Sequence, residues 1–185
     1  MGSRQRSTRT TRRAVAGVLG LAAAAGVAFA GTALADSPAA DQARSQPLVP
    51  YTPCSVTAKA CVDLDSQRSW LIKDGKIMTG PVPIASGGNG QETPIGHSLR
   101  VYRKDAEHKS EESRLPNGQP APMPWSTFFA DGGIAFHSGN PERSSAGCVH
   151  LSDGDAKAWF DYLQMGDQVQ VVSSHAEMAA RGLPG

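Results

Sequence analysis

Residues 132–160 read GGIAFHSGNPERSSAGCVHLSDGDAKAWF, from Gly132 to Phe160. A short apolar run ends in His137, and a turn-forming stretch with Gly139, Asn140, Pro141 and several serines follows. Gly147-Cys148-Val149-His150 comes next, and then a helix start. Ser152 is placed to cap that helix, with Asp155 three residues on, close to a capping box. Ala156, Trp159, Phe160 and Leu163 fall at i, i+3, i+4 and i+7, which predicts a buried stripe. Gly166 is expected to end the helix. The stretch therefore reads as strand, turn and helix, with Cys148 where they meet.

Working outward, most segments read as strands. "ACVDLD" (Ala60–Asp65) is short and partly alternating, and "SWLIKDGKIMTGPVPIAS" holds two apolar runs around Asp74-Gly75, a hairpin signal. "SLRVYRK" (Ser98–Lys104) alternates, "WSTFF" and "GGIAFH" flank a turn at Asp131-Gly132-Gly133, and "QVQVV" (Gln168–Val172) is a late strand. A weaker helix is expected in "HAEMAAR" near the C-terminus. The expected fold is mainly β, a curved sandwich or barrel-like domain with one packed helix after the cysteine. Asp105 to Pro124 is charged early, carries four prolines later and has no periodicity. It reads as a long loop, either a lid or an ordinary surface loop.

The N-terminus reads as an export signal. Arg4, Arg6, Arg9, Arg12 and Arg13 precede a small apolar run from Ala14 to Ala30, and Ala33-Leu34-Ala35 offers a cleavage site before Asp36. Both general secretion and the twin-arginine route fit, and no cysteine follows the run to accept a lipid. An uncleaved anchor is the alternative, since ~17 apolar residues is near the lower limit for spanning. The expected organisation is a signal peptide over 1–35, a disordered linker over 36–50, a catalytic domain over 51–175 and a tail over 176–185. Five arginines and no acid leave with the signal, so 18 basic and 17 acidic residues become 13 and 17, a net charge of −4. A mildly acidic domain with no basic run argues against nucleic-acid binding. About 150 residues suffice for one domain with its own core.

Export changes what three cysteines imply. Cys54 and Cys61 are separated by six residues and are expected to pair in an oxidising compartment, the alternative being two unrelated buried thiols. Cys148 is then the free thiol. His137 lies 11 residues earlier, close enough for a loop to set imidazole beside thiol, the pairing of an activated nucleophile. A helix start favours a thiolate, but Cys148 precedes this one by about four residues, so the effect depends on how the turn folds; the N–H groups of Gly147 and Cys148 are expected to face a developing oxyanion. A buried structural thiol and a core histidine are the competing reading. A zinc site from His137, Cys148 and His150 has poor spacing, so no metal and no cofactor is expected.

"HSGNPERSSAGCVHL" resembles the H…S-x-G-C-x-R signature of the L,D-transpeptidase catalytic domain family, the YkuD type. "CVDLDSQRSWLIKDGKI", "ETPIG", "MPWSTFF", "GGIAFH" and "DAKAWFDYLQMGDQVQVV" are similar to that family's segments in the same order, across roughly residues 54–172. The resemblance implies Cys148 as nucleophile, His137 as general base and the Ser138 carbonyl as the group that orients the imidazole. Ser145 and Gly147 match the turn that shapes the oxyanion site. His150 stands where the family carries Arg, and Ala146 where many members carry another His; both fall in the substrate-binding set. The implied partners are peptidoglycan stem peptides, met at the cell wall by an exported protein that is expected to be a monomer and to touch the membrane only through its export signal. The implied reaction is release of a terminal D-Ala through an acyl-thioester, resolved by a second stem's side-chain amine. Resolution by water, giving an L,D-carboxypeptidase, and a non-catalytic wall-binding module are the alternatives.

Overall fold

The computed structural model describes Gly2, residues 37–88 and residues 90–184. The export-signal reading lies, but for Gly2, outside them. No helix among the described residues is long and apolar enough to cross a membrane.

Two sheets share one core. The first holds β1 (Ala60–Asp63), β2 (Arg68–Lys73), β3 (Lys76–Pro83), β4 (Gly96–Arg100) and β9 (Gln168–Val172) in the order β3-β2-β1-β9-β4. The second holds β5 (Arg103–Arg114), β6 (Pro120–Ala130), β7 (Ile134–Ser138) and β8 (Val149–Leu151) in sequence order. β1 lies between β2, antiparallel, and β9, parallel, and all four of its residues are buried. Its period of two divides it between two cores. Ala60 and Val62 join Val169 and Val171 of β9, Phe136 of β7 and Val149 of β8 in the main cluster. Cys61 faces a second cluster with Val49, Cys54, Trp70 and Ile72. The Cys54–Cys61 disulfide lies in that second cluster and ties the 49–58 segment to β1.

Helix α2 (Asp153–Tyr162) seals the main core. Ser152 caps it, accepting from the Asp155 N–H and donating its hydroxyl to the Asp155 carboxylate. Trp159 is fully buried with Ala156 and Leu163, the stripe its spacing predicts, while Phe160 sits at the margin against Trp125. The helix stops at Leu163, not Gly166, which forms the following turn at φ +86° and donates to the Val101 carbonyl.

Four expectations need correction. The strand expected over 98–104 is two strands in two sheets: the Val101 N–H bonds to Asp167, beside the first sheet, and the Tyr102 N–H to Phe128 in the second. An alternating pattern hides such a corner, because both halves keep the period. The segment from Asp105 to Pro124 is not a structureless loop but most of the long β5–β6 hairpin. Pro120, Pro122 and Pro124 lie beyond the reach of β7, whose pairing with β6 begins at Thr127. Prolines at every second position spend their missing N–H groups on that open edge. Residues 36–50 are not a disordered linker throughout. Helix α1 (Pro38–Ser45) is capped by Ser37 and packs against β4 through buried Ala40 and Ala43. Two small residues three apart make a stripe too narrow to stand out in composition. The tail over 176–185 begins inside α3 (Ser174–Ala180), whose Glu177 is buried.

Candidate active site

β7 and β8 run parallel, with Phe136 opposite Val149, His137 opposite His150 and Ser138 opposite Leu151. Continuing that ladder one residue back sets Cys148 opposite Ala135. Residues two apart share a face, so Cys148 falls on the face of His150 and its neighbour His137. The two imidazoles meet edge to face, with ring centroids 4.9 Å apart. Cys148 is the free cysteine, half-buried, with its Sγ 3.7 Å from the Gly133 carbonyl.

The turn that carries Cys148 is braced from a second segment. The Ser145 N–H donates to the Ser86 carbonyl, and the Gly88 N–H returns a bond to Ser145 O. Ala85 and His150 exchange both backbone bonds. Thr93, 3 % exposed, donates its hydroxyl to Gly147 O at 2.8 Å and accepts the Gly87 N–H at 2.9 Å. Gly147 has φ +110°, and a Cβ there would lie 2.7 Å from the Ile134 side chain, so glycine alone fits. The Ser145 hydroxyl donates to the Cys148 carbonyl and accepts the Gly147 N–H. That commits Gly147's donor inside the turn and corrects the expectation that it faces an oxyanion.

His137 is buried, with Nδ1 2.8 Å from the Ser138 carbonyl. A carbonyl only accepts, so Nδ1 carries the proton and Nε2 the lone pair. Burial, against the pull of the Ser138 carbonyl and with smaller contributions from His150 and His108, holds the imidazole pKa down at about 4. Burial also raises the Cys148 thiol; a backbone hydrogen bond from Ala135 lowers it, and the Glu112 carboxylate on the hairpin adds to the rise. The fold of the turn decides whether the helix start opposes this. The strand β8 lies between Cys148 and α2, and a helix terminus acts only over its own first turn. At neutral pH the pair is therefore a thiol beside a neutral imidazole.

The predicted residues separate as follows. Cys148, His137, Ser138, Ser145, Gly147 and His150 come together at the β7–β8 end, and Ala146 lies exposed on the turn. The His150 Nδ1 lies 2.9 Å from the Arg143 carbonyl, so it donates there. Cys54 and Cys61 are joined elsewhere. Sequence reasoning gave no physical role to Thr93, though the ETPIG segment marked its place, and it missed His108 and Glu112, which act on the pair from the hairpin.

The L,D-transpeptidase catalytic domain model matches residues 57–171, more than half of the chain. The Probable L,D-transpeptidase ErfK/SrfK of Salmonella typhimurium is 26% identical over 113 residues, covering 58% of this chain and 33% of that protein. An L,D-transpeptidase crystal structure from Stackebrandtia nassauensis aligns with TM-score 0.53 and 29% identity, over 62% of this chain and 54% of that one. An L,D-transpeptidase from Mycobacterium smegmatis shares the fold at TM-score 0.55 and 20% identity, over 62% of this chain and 58% of that one. The chain thus spans about a third of the curated relative and just over half of these structures. Because the family model covers more than half of its length, the chain belongs to the L,D-transpeptidase catalytic domain family, the YkuD type.

Proposed function

We propose that this chain is an exported peptidoglycan L,D-transpeptidase with Cys148 as its nucleophile. The observation that carries the reading is the tautomer of His137: Nδ1 is tied to Ser138, which leaves a basic Nε2 on the face shared with the only unpaired thiol among the described residues. Nε2 takes the Cys148 proton as sulfur attacks the carbonyl carbon between the L-centre and D-Ala of a tetrapeptide stem. The Cys148 N–H, with Gly147's donor already committed, is the backbone group for the oxyanion. Collapse breaks the C–N bond, the imidazolium returns its proton to the departing D-Ala nitrogen, and an acyl-thioester remains. The side-chain amine of a second stem loses a proton to Nε2, attacks the thioester and expels the thiol. The paired Cys54–Cys61 supports export, since such bonds persist in oxidising compartments.

The test is trapping. The family resemblance suggests carbapenems, whose strained amide mimics the scissile bond. One covalent adduct should appear on the intact mass and map to Cys148, and Cys148→Ala should abolish it. His137→Ala should slow it by ~10²–10⁴-fold, the size of a general-base contribution. An adduct that survives Cys148→Ala places the chemistry elsewhere. Incubation with disaccharide tetrapeptide then separates outcomes: cross-linked dimer for transpeptidation, tripeptide for carboxypeptidation, no change for a binding module.

A further inference from the structure

His150 takes no part in the reaction proposed above, yet its imidazole is held as firmly as that of His137. Its Nδ1 lies 2.9 Å from the Arg143 carbonyl and 3.3 Å from that of Asn140. Carbonyls only accept, so Nδ1 carries the proton and Nε2 the lone pair. The ring lies against Gly139, where a Cβ would come within 2.7 Å of His150 Cγ and Cδ2. His137 has the same tautomer, fixed by the Ser138 carbonyl. Neither Nε2 bonds to any described residue, and neither is among the buried side-chain atoms left without a partner, so both reach solvent. Two basic nitrogens thus stand on the face of one thiol, on rings whose centroids are 4.9 Å apart.

The two acceptors that can resolve the acyl-thioester differ in proton count. Water gives up one proton to His137 as it adds, and the second leaves from the carboxylic acid after release. A side-chain amine reaches the site as an ammonium, since an alkyl amine titrates at about 10. It must lose one proton to gain a lone pair and another as the amide forms. His137 Nε2 has a single lone pair and takes only one of them. Two acceptors that each bond one tetrahedral nitrogen at about 2.9 Å stand about 4.7 Å apart, the scale of the imidazole spacing here. The arginine that the family carries in place of His150 has no lone pair to offer.

We propose that His150 is a second base, specific to the amine-accepting half of the reaction, whose Nε2 takes the first proton of the acceptor ammonium. The freed lone pair attacks the thioester carbon. A second N–H proton passes to His137 Nε2 as the tetrahedral adduct collapses, the C–S bond breaks, and the Cys148 sulfur takes that proton from His137. His150, open to solvent, releases its own proton to water, and the amide keeps the third hydrogen. The inference rests on the Cys148 acyl-enzyme proposed above, and it makes His150 the residue that favours cross-linking over hydrolysis.

The test is the partition of one intermediate. The full chain is incubated with disaccharide tetrapeptide, and the ratio of cross-linked dimer to tripeptide is read by mass spectrometry. Both products come from the same acyl-enzyme, so the ratio does not depend on how much enzyme is folded or how fast it acylates. His150→Gln keeps a donor for the Arg143 carbonyl but cannot take a proton, and it should lower the ratio on the order of 10²-fold, the size of one proton-transfer contribution. Hydroxylamine is already neutral at neutral pH and needs only one base, so its hydroxamate product, measured against tripeptide, should fall far less in the variant. An unchanged dimer ratio in His150→Gln would overturn the proposal, and so would an equal fall with hydroxylamine and with the stem amine, which would make His150 a structural residue. A parent that forms the acyl-enzyme but yields tripeptide alone would also overturn it while leaving Cys148 as nucleophile; a parent that forms no acyl-enzyme would refute the reading beneath it as well.

Discussion

Thr93→Val should damage both stability and reactivity, although Thr93 touches no reacting atom. Valine has nearly the same shape and fits an extended backbone, so the change removes one hydroxyl and little else. That hydroxyl joins the Gly147 carbonyl to the Gly87 N–H. Both groups lie in a packed region: a Cβ on Gly87 would come within 1.9 Å of the Gln91 carbonyl, so the backbone has little room to find other partners. Each orphaned group costs about 1–3 kcal/mol, and water reaching one of them trims the sum, giving about 2–4 kcal/mol in all. Urea unfolding reads this directly. Reactivity should fall further than stability suggests, because Gly147 is the residue before Cys148 and a 1 Å misplacement can cost on the order of 10²-fold. The assay is the rate of carbapenem adduct formation under conditions where the variant is fully folded. Thr93→Ser, which keeps the oxygen, should recover most of both losses. A valine variant as stable and as fast as the parent, or a serine variant no better than valine, would refute the bracing argument.

Two further expectations follow from the same groups. The folded imidazole of His137 titrates near 4, below the 6.5 of a free histidine. Between those values the unfolded chain binds a proton that the folded chain does not, so stability is lost as pH falls through that window. The loss should be on the order of 3 kcal/mol, and His137→Gln should remove that share of the pH dependence; identical pH slopes in parent and variant would contradict the burial. Denatured, unreduced protein should show one reactive thiol, and three after reduction; three before reduction would rule out the Cys54–Cys61 bond, whose loss should cost ~2–3 kcal/mol for so short a loop.

What the sequence made legible was local. The Asp74-Gly75 hairpin, the Ser152 cap and the Ala156–Trp159–Leu163 stripe each depend on residues within a turn or two, and each formed as the pattern predicts. The Cys54–Cys61 pairing followed from compartment and count. What stayed hidden was set by partners distant in the chain. The corner at Val101–Tyr102 exists because two different sheets accept consecutive N–H groups. The proline-bearing strand exists because one of its edges is open, and no local pattern shows where a neighbouring strand ends. Thr93 is 54 residues from the carbonyl it holds. The spacing that allows Cys148 and His137 to meet was legible, but their electrostatics were not: burial raises the thiol, and burial is set by packing from elements distant in the chain.

On the function proposed above, that sign bears on how a catalytic thiol would survive export. Thiolate, not thiol, attacks disulfides and oxidants, so a cysteine with a strongly lowered pKa in an oxidising compartment invites exchange and oxidation. Here burial keeps Cys148 protonated and His137 neutral in the resting state. The Glu112 carboxylate strengthens the same bias from the hairpin. In the reaction proposed above, the thiolate forms by proton transfer to His137 Nε2 as a substrate is attacked, and the imidazolium, disfavoured by burial, readily gives its proton up to the leaving nitrogen. A base held near 4 is weak at taking a proton and strong at returning one, so the balance favours expulsion of the amine once the tetrahedral adduct exists. The cost falls on the first step, and only a substrate that stabilises the thiolate as it forms, or an electrophile as strained as a β-lactam, lowers it. Glu112→Gln tests the sign: removing the carboxylate should lower the thiol pKa, visible as faster alkylation by iodoacetamide at pH 7 and a pH–rate curve displaced to lower pH. A displacement to higher pH, or none, would mean that the hairpin does not share in setting the resting state of the pair.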